Sequence, residues 1–80
     1  MSFRITIRSR ETLIFEGECA SITSFNDVGE FDILEHHANF ITMIKRFIVL
    51  NKGAKDENKI TIEKGVLSSN QGVVEVFIQD

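Results

Sequence analysis

The sequence predicts an all-β fold, a small sandwich or barrel, on three observations. Apolar and polar residues alternate at both ends of the chain, turn-forming residues recur at short intervals, and no segment outside residues 35–46 carries a helical stripe. Alternation with a period of two puts one set of side chains on a buried face and the other in water, the pattern of a half-buried strand. Short strands punctuated by frequent turns belong to sandwiches and barrels.

Each element follows from its residues. Phe3, Ile5 and Ile7 alternate with Arg4, Thr6 and Arg8, which predicts a first strand with a clean apolar face. Ser9-Arg10-Glu11 reads as a turn, and Thr12 to Glu16 as a second strand with Leu13 and Phe15 on one side. After Gly17, Cys19 to Phe25 forms a third, with Ala20 and Ile22 opposite Ser21 and Thr23. Asn26-Asp27-Val28-Gly29 is a turn, because Asn and Asp tolerate left-handed geometry and Gly takes positive φ at little cost. Phe31 to Leu34 is a short strand. Phe40 to Ile44 is read as extended rather than as a helical turn, since its β-branched side chains disfavour a helix. Phe47 to Leu50 is a further strand, and a polar connection from Asn51 to Asn58 leads to Lys59 to Glu63. Lys64-Gly65 is expected to turn the chain into Val66-Leu67-Ser68, and Ser69-Asn70-Gln71-Gly72 to form a tight hairpin. Val74, Val76 and Ile78 close the chain with regular alternation.

Composition narrows the function. Eighty residues make a single domain. A hydrophobic fraction of 42% with 26% charged residues fits a soluble globular chain and not a disordered one. The net charge of −3 gives no reason to expect nucleic acid or an anionic membrane surface as partner. No apolar run approaches the roughly 20 residues of a membrane span, and the N-terminus lacks a signal-peptide core. Cys19 is the only cysteine, which excludes an internal disulfide and fits a reducing compartment. Phe is the only aromatic residue, so no buried Tyr or Trp can organise the core.

Candidate chemistry is sparse. His36-His37, near Glu30, Asp32 and Glu35, suggests a metal site, but neighbours on a strand point to opposite faces and do not converge on one ion. Cys19 on an alternating strand reads as a small buried hydrophobe, and nothing places a histidine beside it as a base. Glu30 and Asp32 share a strand face, where solvation or a protein partner suits them better than acid–base work. Arg4, Arg8 and Arg10 read as a solvated polar face, and no glycine sits in a phosphate-binding pattern. No catalytic residue, metal ligand or cofactor site is assigned, and an enzyme is not the expected reading.

The stretch Gly29-Glu30-Phe31-Asp32-Ile33-Leu34-Glu35-His36-His37-Ala38, with Phe40-Ile41-Thr42 following, resembles the G-E-F-G-I-L-P-G-H-A-P-x-x-T segment of the epsilon subunit of F-type ATP synthases. Further likeness to the N-terminal β domain of that family, called delta in mitochondria, runs through the whole chain. Phe15-Glu16-Gly17-Glu18 is similar to V-F-E-G-E, Ser21-Ile22-Thr23 to S-V-T, Lys64-Gly65-Val66-Leu67 to G-G-V-L, and Val73 to Ile78 to the closing V-T-V-L. The resemblance implies a flattened β sandwich, or barrel-like pair of sheets, of about ten short strands over residues 1–80. Asp32 stands where the family commonly has Gly, Glu35-His36 and Arg46-Phe47 where it has Pro-Gly, and Asn39 where it has Pro. Those changes free the backbone from fixed φ values. The family's sandwich is usually followed by two C-terminal helices, and the sequence ends at Asp80 where the last strand ends, so a single domain without that pair is expected.

In function, the resemblance implies a non-catalytic rotor subunit of the central stalk, joining the gamma subunit to the polar loops of the membrane c-ring during proton- or sodium-driven ATP synthesis. It would be peripheral, on the cytoplasmic face of a bacterial inner membrane or the matrix or stroma face of an organelle, and a monomer when isolated. Residue by residue, Glu30 and Phe31 fall at positions that face the c-ring, and His37 and Thr42 at positions close to gamma. Alternation cannot bury Phe40, Ile41, Ile44 and Phe47 on one face, so at least one is expected on the gamma side. The alternative is a stand-alone β-sandwich interaction module unrelated to the synthase.

Overall fold

The computed structural model describes residues 2–34 and 39–79, and among them the chain forms seven strands. These are β1 Phe3–Arg8, β2 Leu13–Cys19, β3 Ser21–Asn26, β4 Gly29–Leu34, β5 Phe40–Leu50, β6 Asn58–Asn70 and β7 Val73–Gln79. They bond side by side in the order β2-β1-β7-β6-β5-β3-β4, so β2 and β4 are edges and the sheet is not closed into a barrel. All neighbours are antiparallel except β1 and β7, which run parallel.

A bulge in the two longest strands makes the sandwich. Lys45 pairs with Lys64 but Arg46 pairs with Ile62, leaving Glu63 as an extra residue, and Arg46 adopts a φ of 78°. Such an insertion bends a strand and sharpens its twist. The first part of β5 and the last part of β6 therefore continue the layer of β2, β1 and β7, while their other parts join β3 and β4. That gives a larger layer of five strand segments and a smaller layer of four. The expectation of about ten short strands is met by fewer, longer ones, because β5 and β6 each serve both layers.

One apolar core lies between the layers. Ile5, Ile7, Leu67, Val74 and Val76 from the larger layer join Ile22, Ile33, Ile48 and Leu50 from the smaller in a single fully buried cluster. Each such side chain contributes about 1.5–3 kcal/mol on leaving water. The alternation predicted for β1 and β7 is present in full, with Phe3, Ile5, Ile7, Val74, Val76 and Ile78 all buried.

Two turns expected from glycine are strand instead. β2 continues through Gly17 to Cys19, and β6 runs unbroken through Lys64-Gly65. At Gly65 the reason is space: a Cβ there would lie 2.7 Å from the Phe77 carbonyl oxygen of β7. The glycine permits a close approach of two backbones, not a change of direction. Gln71-Gly72, by contrast, is the expected hairpin, with φ values of 52° and 81° matching the twist of the flanking strands. β3 also departs from alternation, since Ile22, Thr23 and Ser24 are all buried. The polar members are satisfied: the Ser24 hydroxyl donates to the Phe47 carbonyl at 2.8 Å and the Thr23 hydroxyl to an Asp32 carboxylate oxygen at 2.6 Å.

Candidate functional site

The turn between β3 and β4 is closed by Asn26, whose side-chain oxygen accepts from the backbone N–H of Val28 at 2.9 Å and of Gly29 at 3.2 Å. This fixes the β4 register, with Glu30 opposite Phe25 and Asp32 opposite Thr23. Glu30 points outward from the smaller layer, and its carboxylate meets the Lys52 ammonium at 3.0 Å with both groups half exposed. The hydrogen bond and charge of Glu30 push Lys52 above its ordinary value, with Asp32 and Glu57 adding to the effect.

Lys52 is held there by an ordered loop. Asn51 accepts from the Ala20 N–H at 2.7 Å through its side-chain oxygen, and its backbone N–H donates to the Ser21 carbonyl at 3.0 Å. Its amide donates to Asp56 at 3.0 Å, and the Gly53 N–H donates to Glu57 at 2.7 Å. Sequence reading treats this loop only as a polar connection. The partnership of Lys52 with Glu30 is tertiary and leaves no local signal.

Phe31 stands on the opposite face of β4 from Glu30. Its ring meets Phe40 edge-on, with centroids 6.4 Å apart, and packs against the core. Thr42 is half buried in β5, and its hydroxyl oxygen accepts from the Asn26 side-chain amide at 3.2 Å. Glu30, Phe31 and Thr42 are thus brought together around one turn, on two faces, and His37 lies outside the described residues.

On the outer side of the smaller layer, Phe25 and Phe47 pack with ring centroids 6.3 Å apart. The Arg46 guanidinium lies 4.3 Å above the Phe25 ring, and the Lys59 ammonium 5.6 Å above that of Phe47. Thr23 and Val49, on the same side by register, are buried.

The outer side of the larger layer differs. The pairing sets Met43, Val66, Phe77, Arg8 and Leu13 in one row across all five segments. Met43 is 64% exposed, Phe77 50% and Leu13 52%, and Ile41 in the adjacent row is 73% exposed. Of Phe40, Ile41, Ile44 and Phe47, it is Ile41 that stands outward on the larger layer. Phe77 carries a sequence signal in hindsight: it is a large apolar residue at a polar position of an alternating strand. An exposed row that is apolar at four of its five positions, broken only by Arg8, marks a surface suited to a partner.

Other candidates recede. Cys19 is buried, and burial pushes its thiol up to about 11, so it is a poor nucleophile at neutral pH. The His36-His37 pair and Glu35 lie outside the described residues, and among the described residues no group of three or more His, Cys, Asp or Glu is placed to hold a metal.

Residues 2–80 match the family described as ATP synthase, Delta/Epsilon chain, beta-sandwich domain. The chain belongs to this family. It is 26% identical over 77 residues to the ATP synthase epsilon chain of Sulfurimonas denitrificans, a match covering 95% of this chain and 59% of that relative. Among solved structures it resembles a chain of the Euglena gracilis mitochondrial ATP synthase (OSCP/F1/c-ring), with a TM-score of 0.85, 19% identity, and coverage of 96% of this chain and 50% of that one. It also resembles a chain of the Tetrahymena thermophila mitochondrial ATP synthase central stalk and c-ring, with a TM-score of 0.72, 12% identity, and coverage of 96% and 63%. Both structural likenesses are likenesses of fold. The chain spans roughly half to three-fifths of the length of these relatives, the part the family describes as its β sandwich.

Proposed function

We propose that this chain is a non-catalytic rotor subunit in the central stalk of an F-type ATP synthase, coupling the gamma subunit to the c-ring during proton- or sodium-driven ATP synthesis. The observation that carries the reading is the exposed apolar row of the larger layer, on a domain that belongs to the Delta/Epsilon family. A joint that passes torque needs a stiff body with an apolar face for a permanent partner and polar groups at a second contact. In this reading gamma covers the row of Met43, Val66 and Phe77, and Thr42 and His37 are further gamma contacts. The c-ring loops meet the β4 end, where Glu30 is presented with Lys52 and Phe31 lies on the other face of the strand. The subunit is then peripheral to the membrane, on the side where the rest of the stalk stands.

A thermal melt with and without purified gamma tests the proposal. Saturating gamma is expected to raise the midpoint, because a ligand that binds only the folded state stabilises it by mass action. An unchanged midpoint at saturating gamma would remove the reading.

A further inference from the structure

We infer that gamma meets the larger layer through an apolar strip edged on one side by carboxylates, and that Arg8, Arg10 and Lys64 select that edge. The inference rests on the proposed docking of gamma on this face and adds the chemistry of its partner.

Charged rows flank the apolar row unequally. On one side the register gives Lys45, Lys64 and Gln79, and Arg10 joins Phe77 and Gln79 around a shallow hollow of about 230 Å³. On the other side it gives Ile41, Ser68, Glu75, Thr6 and Glu16. Arg8 stands within the apolar row, between Phe77 and Leu13. With Lys45 paired to Asp27 and Glu16 paired to Arg4, the charges left on the face are Lys64 and Arg10 along one edge and Glu75 along the other.

The basic edge is unusual for this chain, which carries 12 acidic residues against 9 basic ones. Five of the six other cations find partners: Arg4 meets Glu16 at 3.5 Å, Lys45 meets Asp27 at 3.0 Å, Lys52 meets Glu30, and Arg46 and Lys59 sit over rings, while Lys55 stands in the exposed loop after β5. Arg8, Arg10 and Lys64 make no ion pair among the described residues. Three such cations beside an exposed apolar row offer donors and positive charge to a partner's carboxylates. On the opposite edge Glu75 also lacks an ion pair among the described residues, so a carboxylate-edged strip laid the wrong way round would set its carboxylates against Glu75 and leave the cations without a counter-charge.

The experiment measures association of the chain with purified gamma at low and high salt. The unaltered chain is compared with an Arg8→Glu/Lys64→Glu double variant, a Phe77→Asp variant, and Lys55→Glu as a distant charge control, each checked for an unchanged fold by circular dichroism. The double variant is expected to associate about tenfold more slowly at low salt, with the difference fading as salt screens the charges. Lys55→Glu should behave like the unaltered chain, and Phe77→Asp should lose binding. Equal rates for the double variant and the unaltered chain, with Phe77→Asp still disruptive, would overturn the charged edge and leave the docking face standing. Undiminished binding by Phe77→Asp, or no binding by the unaltered chain, would overturn both.

Discussion

On the outer side of the smaller layer, Arg46, Lys52 and Lys59 each have a partner within the domain, and two phenylalanines lie beneath the cations. On the outer side of the larger layer, Arg8, Arg10 and Lys64 make no ion pair among the described residues, beside a row of exposed apolar side chains. Both surfaces come from the same alternating pattern and a similar mixture of residues. They part at the bulge at Arg46, beyond which Arg46 lies over Phe25 and Lys59 over Phe47. In the larger layer, where β1 and β2 shift register between Ile7 and Arg8, Met43, Phe77 and Leu13 are left half or more exposed. A face that satisfies its own groups suits solvent or a transient contact, and a face that does not suits a permanent one.

The sharpest way to break this contrast compares the two sides of β6. Leu67→Ala should cost about 2–5 kcal/mol in chemical denaturation, since it opens a cavity in the shared core. Val66→Thr, one residue away on the exposed row, should stay within about 0.5 kcal/mol of the original. A large loss at Val66 would mean that the row supports the fold and is not held in reserve for a partner.

A smaller effect is expected at the bulge. Arg46 sits at φ 78°, where a β-branched side chain is strained, so Arg46→Val should destabilise by about 1–3 kcal/mol. Arg46→Gly relieves the backbone but loses the contact with Phe25 and loosens the unfolded chain, so its midpoint should move little. Equal losses for both variants would assign the role of Arg46 to its ring contact rather than to its backbone.

The smallest effect concerns Cys19, beside the larger layer's edge. Its thiol is raised from 9.0 to about 11 by burial, so the unfolded chain ionises first as pH rises. Any stability from the buried thiol is complete below pH 9 and is lost as the pH climbs toward 11. Thermal midpoints should fall more steeply across that window for the unaltered chain than for Cys19→Val. Parallel profiles would show that Cys19 does not contribute to the pH dependence.

How much of this was legible in the sequence depends on the range of the interaction. β1 and β7 were read in full, because each has one core face and one wet face and alternation is a local property. The Gln71-Gly72 hairpin was likewise readable from its turn chemistry. Lys64-Gly65 looks like a turn in sequence, because the reason for the glycine lies in the Phe77 carbonyl of another strand. The Phe40 to Leu50 run could not be assigned to faces, since the bulge that changes its layer arises from pairing with β6. Glu30 was singled out by its motif, whereas Lys52 and the unpaired cations emerge only when distant strands are laid side by side.

The parallel pairing of β1 with β7 has a mechanical meaning. Five registered residue pairs, from Arg4 opposite Val73 to Arg8 opposite Phe77, join the first strand to the last. Tension applied at the start of β1 and the end of β7 pulls these strands past each other lengthwise. Their hydrogen bonds then bear the load together, instead of opening one at a time as at the mouth of a hairpin. The first and last strands of the sandwich, neighbours inside the sheet, are thus clamped in shear.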